Sequence, residues 1–217
     1  MIVAIDGPAA TGKSTSAKKV ARELGFIHLD TGAMYRCVTL AVLRNQITLD
    51  NESALSQLLD GLDIRLKKLD DELVVYLNGE DVSDEIRKAE VTSYVSTVSA
   101  LSQVRNALVR IQRNIAKNQD CVVEGRDIGT IVFPDAKFKF FLVADDFVRA
   151  QRRQLDLIAI GEEKSIAVLV EEIRQRDFLD SKRSNSPLCK ADDAIEIDTS
   201  KMTFDEQVAF MVNRVKK

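Results

Sequence analysis

The 217-residue chain has little cysteine, no basic excess and no long apolar run, and each shortage closes off a class of function. Its three cysteines, Cys37, Cys121 and Cys189, lie far apart and form no C-x-x-C pair. That argues against a disulfide framework and a zinc site, and fits a reducing, cytoplasmic setting. A net charge of −3 provides no broad basic field for nucleic acid or an anionic membrane surface, so any anion site must be local. No stretch of about 18 consecutive apolar residues occurs, and Met1 leads straight into an apolar segment without a basic leader, so neither membrane insertion nor secretion is expected. Internal repeats, low-complexity tracts and Pro/Gly-rich linkers are absent as well. With 45% hydrophobic residues the chain can bury one sizeable core, and a single domain acting as a monomer is expected.

Short apolar runs at Ile2 to Ile5, Phe26 to Leu29, Cys121 to Val123, Phe138 to Val143 and Ala194 to Ile197 alternate with segments of helical period. This alternation predicts an α/β, three-layer fold around a five-stranded parallel sheet. Within residues 102 to 117, Val104, Leu108, Ile111 and Ile115 make one apolar stripe with Arg105, Arg110 and Arg113 off it, the pattern of a core-covering helix. Thr203-Phe-Asp-Glu206 is a capping box opening a last helix whose buried face is expected to carry Phe204, Val208, Met211, Val212 and Val215. Between about 62 and 82 the rhythm breaks. Asp63 to Lys67 alternates polar and apolar, and Glu72 to Leu77 runs into Asn78-Gly79, a hairpin signal, so an antiparallel insertion is expected there.

The strongest chemical signal is Gly7-Pro8-Ala9-Ala10-Thr11-Gly12-Lys13-Ser14, directly after the first strand candidate. It fits G-x-x-x-x-G-K-[ST], a loop whose backbone amides curl around a phosphate while the lysine reaches the outer phosphates and the hydroxyl meets Mg²⁺. A helix from about Thr15 to Leu24 aims its N-terminal amides at the same anion, so a purine triphosphate is the expected guest. At the next strand end, Asp30-Thr31-Gly32 opens a helix with Thr31 as N-cap candidate and Tyr35-Arg36 in its first turns, where an open parallel sheet keeps its ligand crevice. Glu124-Gly125-Arg126-Asp127 closes the third strand at that edge. Its carboxylate can orient Mg²⁺ or meet an exocyclic amine and Arg126 can fork onto phosphate, although a structural ion pair is the alternative. Arg149, Arg152 and Arg153 share a helix face, and Arg176, Asp180 and Arg183 recur beside the turn-like Ser184-Asn-Ser-Pro187. A mobile arginine-bearing flap would offset charge on a transferred phosphoryl group, and a plain charged face is the bland alternative. The single histidine, His28, reads as packing rather than as a general base, since phosphoryl transfer needs positioning more than proton abstraction.

Together these segments resemble the bacterial cytidylate kinase branch of the nucleoside-monophosphate kinases, the CMP/dCMP kinases. The similarity rests on Gly7 to Ser14, Asp30-Thr-Gly-Ala-Met-Tyr-Arg36, Val98 to Arg105, Glu124 to Asp135 and Arg176 to Arg183, in the family's order over nearly the whole chain. The resemblance implies transfer of the γ-phosphoryl of MgATP to CMP or dCMP. Gly7 to Thr15 would bind the donor and Ser14 the Mg²⁺, with Lys13, Arg126, Arg153, Arg176 and Arg183 catalytic. Thr31, Tyr35, Arg36, Ser96, Arg105, Arg126 and Asp127 would face the acceptor, with Arg36 and Arg126 on its phosphate and Ser96, Arg105 and Asp127 on the cytosine edge. Arg176, Asp180 and Arg183 would belong to a short helical lid at about 150–187, and the insertion at about 31–117 to acceptor binding. The lid departs from the family where Gln175 stands for glutamate and Phe178-Leu179 for a charged pair. The resemblance does not choose among Arg149, Arg152 and Arg153 for the donor phosphates. Rival readings are a P-loop kinase for another small acceptor such as UMP, or a nucleotide-binding regulatory protein. Against a GTPase switch, Lys117-Asn-Gln-Asp120 has the wrong order for a guanine-reading N-K-x-D.

Overall fold

The computed structural model describes residues 1–69, 72–159 and 161–217. In chain order the elements are β1 (Ile2–Asp6), α1 (Lys13–Leu24), β2 (Ile27–Asp30), α2 (Thr31–Arg44), α3 (Glu52–Asp60), β3 (Ile64–Leu69), β4 (Glu72–Leu77), β5 (Glu80–Asp81), α4 (Ala89–Ser99) and α5 (Ser102–Ile115). They continue as β6 (Cys121–Gly125), β7 (Phe138–Val143), α6 (Asp146–Ile158), α7 (Ile166–Lys182), β8 (Ile195–Asp198) and α8 (Phe204–Lys216). The chain divides into two compact units, one of Met1–Leu29 with Ala116–Lys217, the other Asp30–Ile115.

The five-stranded sheet runs β2-β6-β1-β7-β8, and β1 pairs parallel with both β6 and β7. The middles of β1 and β6 are apolar because both faces are covered: Val3, Ala4, Ile5, Val122 and Val123 have no exposed surface. Helices α1 and α8 pack on it through Ala17, Val20, Val208, Met211 and Val212. Each such valine or methionine taken from water contributes about 1.5–3 kcal/mol. The Thr203 capping box forms as expected, but Phe204 stays 38% exposed and Gln207 takes a buried place on that helix. The register Ile5↔Glu124 and Asp6↔Gly125 brings the ends of β1 and β6 together, and this is what positions the site.

The second unit packs α2, α3, α4 and α5 with an antiparallel sheet of order β3-β4-β5. The expected hairpin turn is there, with Asn78 at φ 52° and Gly79 at φ 86°, the left-handed pair a two-residue turn needs. Helix α5 buries Val104 and Leu108 of the expected stripe, whereas Ile111 and Ile115 are half-buried and Gln112 is buried in full. Arg105, assigned off that stripe, is nevertheless only 2% exposed, a correction explained by its partners below.

Candidate active site

The loop from Gly7 to Ser14 leaves the buried centre of the sheet and must turn within a few residues into α1. At Gly7 (φ 145°) an added Cβ would lie 2.2 Å from the carbonyl oxygen of Leu142 on the neighbouring β7, so only glycine passes. Gly12 (φ 87°) caps α1 with no side-chain hydrogen bond, which leaves the amides of the first turn facing the loop. The helix starts at Lys13, earlier than the sequence reading placed it, and Ser14 and Thr15 are exposed on its first turn. Lys13 is buried, its Nζ donating to the Pro8 carbonyl at 2.5 Å and to Thr11 Oγ1 at 3.4 Å. Burial first, then the nearby Arg126 and Arg176 guanidinium groups, push its pKa well below the ordinary lysine range, against Glu124 and Asp6. A cation in such a place is short of negative charge.

The lid candidates bear directly on this loop. Arg149 donates from Nε to the Ala9 carbonyl at 2.8 Å and pairs with Asp177, whose carboxylate in turn accepts from the Ala9 amide at 3.3 Å. Arg152 donates to the Thr11 carbonyl at 3.4 Å and to the Thr199 carbonyl at 2.7 Å, and Thr199 Oγ1 donates to Thr11 at 3.2 Å. Arg153 is half-buried and makes no hydrogen bond or ion pair among the described residues. Helices α6 and α7 form a hairpin on Ala150, Leu157, Leu169 and Ile173, with Ala10 of the loop packed against that cluster. Asp177 stood inside the Arg176 to Arg183 motif without a role assigned to it, and Thr199 escaped the sequence reading, its one signal being its place just beyond the end of β8.

At the end of β6, Glu124 is 4% exposed and has a partner on each oxygen. Ser14 Oγ donates to Oε2 at 2.6 Å, and His28 Nε2 lies 2.8 Å from Oε1. Burial alone would raise this carboxyl, but the His28 and Ser14 hydrogen bonds with the Lys13 charge outweigh it and hold Glu124 below the usual carboxylate range. His28 is thus a hydrogen-bonding residue, and the expectation of mere packing is corrected. Beside it, buried Asp6 accepts from the amides of Ile128 (2.8 Å) and Gly129 (2.7 Å) and so anchors the turn that carries Arg126 and Asp127.

Burial raises the Asp6 carboxyl from 3.8 to about 6, against those two amides. The native state therefore holds this proton to higher pH than the unfolded chain, and stability from this group is lost as pH climbs from about 4 to 6. Relative to Asp6→Asn, the parent protein should lose on the order of 3 kcal/mol across that window and nothing further above pH 7. Urea unfolding of both proteins from pH 4 to 7 checks this, and parallel curves would contradict it.

In the first unit the guanidinium of Arg126 donates from Nε to Asp180 Oδ2 at 3.1 Å, while Arg183 lies 3.8 Å from Asp180 Oδ1. Asp180 is 4% and Asp127 3% exposed, and Arg176 joins the positive group around Lys13. The ion pair that Arg126 makes is with Asp180, far along the chain, and not with a charge of its own strand end. In the second unit Asp30, not Thr31, caps α2, accepting from the Ala33 amide at 2.9 Å; Thr31 is the first helical residue and is buried. Both residue types cap well, and here the extended backbone at Asp30 decides. Tyr35 is buried with the Arg105 guanidinium 5.3 Å from its ring centre, and Arg105 Nη1 donates to the Ser99 carbonyl at 3.1 Å. This cation–π contact and carbonyl bond let an arginine sit inside. Arg36 donates to Thr92 Oγ1 at 2.7 Å and to the Ile86 carbonyl at 3.3 Å, and Ser96 is half-buried on α4.

The cytidylate kinase family model matches residues 3–217. A cytidylate kinase of Halalkalibacterium halodurans is 46% identical over 217 residues, covering 100% of this chain and 98% of that protein. One from Caldanaerobacter subterraneus subsp. tengcongensis is 49% identical over 215 residues, covering 99% and 94%. Among solved structures, an uncharacterized protein from Eubacterium ventriosum aligns over 100% of this chain and 99% of its own with TM-score 0.54 at 13% identity, a likeness of fold alone. A glycine-shaped loop around a buried lysine, ringed by arginines and carrying these relatives along its full length, makes the chain a member of the cytidylate kinase family.

Proposed function

We propose that the protein transfers the γ-phosphoryl group of MgATP directly, in line, to CMP or dCMP, giving ADP and CDP or dCDP. The observation that carries this reading is the buried Lys13, held on loop carbonyls among Arg126 and Arg176, in a chain of this family. Residues Gly7 to Thr15 receive the donor's phosphates: the amides of the loop and first turn supply the cradle, and Lys13 the charge at the outer phosphates. Arg149 and Arg152 are spent on loop carbonyls, which leaves Arg153 as the helix arginine available to the donor. Arg126, Arg176 and Arg183 offset charge on the group in flight, so catalysis is positioning and electrostatics.

Mg²⁺ fits the donor set at the loop, an exposed serine hydroxyl beside an ionised carboxylate, both hard oxygens. Ser14 would hold it with Glu124 near, and when bound it neutralises and orients the phosphates. The acceptor assignments are Thr31, Tyr35, Arg36, Ser96 and Arg105 in the second unit, and Arg126, Asp127, Arg176, Asp180 and Arg183 in the first. Arg36 and Arg126 take the acceptor's phosphate, and Ser96, Arg105 and Asp127 read cytosine. A buried carboxylate such as Asp127 suits cytosine's exocyclic amine, a donor that uracil lacks. Residues 31–117 serve as the acceptor-binding insertion and 150–187 as the lid. No helix among the described residues is long and apolar enough to cross a membrane, and all three cysteines are free. That state of the cysteines supports a cytoplasmic enzyme, which we take to be a monomer.

With γ-labelled ATP, Mg²⁺ and CMP, the label should be recovered in CDP, with little release in the absence of CMP. Label appearing only as free phosphate would overturn the reading. For the cytosine contact, Asp127→Asn should narrow the CMP-over-UMP ratio of kcat/KM by roughly tenfold to a hundredfold while the KM for ATP stays within about twofold. An unchanged ratio would remove Asp127 from cytosine recognition.

A further inference from the structure

His28 sits on β2, the strand beside β6 in the sheet, and both it and Glu124 are largely removed from water, their side chains 13% and 5% exposed. A carboxylate with free torsions would turn its oxygens among competing donors. Here one oxygen is taken by His28 and the other by Ser14, the hydroxyl at the N-terminus of α1. An ionised carboxylate only accepts hydrogen bonds, so the hydrogen of the short contact to Oε1 belongs to His28 Nε2. The chain imidazole, carboxylate, hydroxyl runs from the sheet to the phosphate loop, and its far end is the pair of oxygens that suits a hard cation.

The geometry points to His28 as a positioning residue for metal-assisted nucleotide binding: its Nε2–H fixes the plane of Glu124 so that Oε2 faces Ser14 and is presented to the metal or its water. This rests on the reading of the loop as a metal–nucleotide donor site. It uses the only histidine in the chain, and it assigns His28 no contact with substrate and no proton transfer to it. Outer partners of this kind change metal affinity by about 10–100-fold when removed.

The test uses Mn²⁺ as a paramagnetic probe with ADP, read by water-proton relaxation, alongside calorimetric ADP binding without metal. His28→Phe keeps the bulk and loses the donor; His28→Gln keeps a donor near the place of Nε2; His28→Asn is polar but too short. His28→Phe and His28→Asn should weaken Mn²⁺ binding to the ADP complex about tenfold or more, leave metal-free ADP affinity unchanged, and raise the Mg²⁺ concentration needed for half-maximal turnover. His28→Gln should return Mn²⁺ affinity to within about threefold of the parent. If His28→Phe does not fold, the contrast between Gln and Asn carries the same test. Equal Mn²⁺ affinity in His28→Gln and His28→Asn would overturn the proposal, as would a parallel loss of metal-free ADP binding. If Glu124→Gln also leaves Mn²⁺ affinity at the parent's value, or the parent shows no metal-dependent binding, the donor-site reading fails with it.

Discussion

Lys13→Ala should turn over MgATP and CMP about a hundredfold or more slowly than the parent, because it deletes a preorganised charge at the outer phosphates. The same substitution should not weaken the ligand-free protein. Lys13 is buried, and desolvation together with Arg126 and Arg176 disfavours its charged form. Any charge it carries there comes at a cost to the fold, one that the anion it meets offsets. The expected result is a split: turnover collapses while the thermal midpoint of the ligand-free variant is equal to or above the parent's. A coupled assay of ADP formation and a melting curve measure the two halves. Near-normal turnover would refute the role of Lys13, and a large fall in melting temperature would refute the electrostatic account of its burial.

Gly7→Ala carries the other large effect. Its Cβ would stand 2.2 Å from a backbone oxygen of β7, inside any permitted contact, and a backbone cannot swing aside as a side chain can. The loop must move away from the sheet, and its amides with it. The variant should lose at least tenfold in ATP affinity and a hundredfold in kcat/KM, since misplacement by about 1 Å is commonly that costly. Gly25 supplies the control. It too has a left-handed backbone (φ 71°), at the end of α1, but nothing lies within 4 Å of an added Cβ. Gly25→Ala should cost about 1–2 kcal/mol of stability for its backbone and leave ATP affinity alone. Calorimetric ATP titration of both variants decides the matter, and parent-like binding by Gly7→Ala would contradict the steric argument.

Much of this was legible in the sequence because it is written locally. Buried parallel strands show as continuous apolar runs, Asn78-Gly79 can hardly be anything but a tight turn, and the Thr203 box satisfies its own helix. What stayed hidden depends on partners far along the chain. Arg105 counts as a surface residue in any periodicity argument, and partners such as Tyr35 and the Ser99 carbonyl, distant from it in that argument, hold it inside. His28 looks like packing until the order of strands sets β2 beside β6 and brings Glu124 to its ring. The sorting of the α6 arginines, two bound to loop carbonyls and Arg153 left over, follows from which face of that helix meets Ala9 and Thr11, and charge spacing says nothing of this.

The most direct measurement supplies the parent protein with MgATP and, one at a time, CMP, dCMP, UMP, AMP and GMP, and follows nucleoside diphosphate formation as kcat/KM. The account predicts rapid formation of CDP and dCDP, with the purine monophosphates essentially inert. Equal or better use of AMP or GMP, or ATP turnover that no monophosphate accelerates, would contradict it.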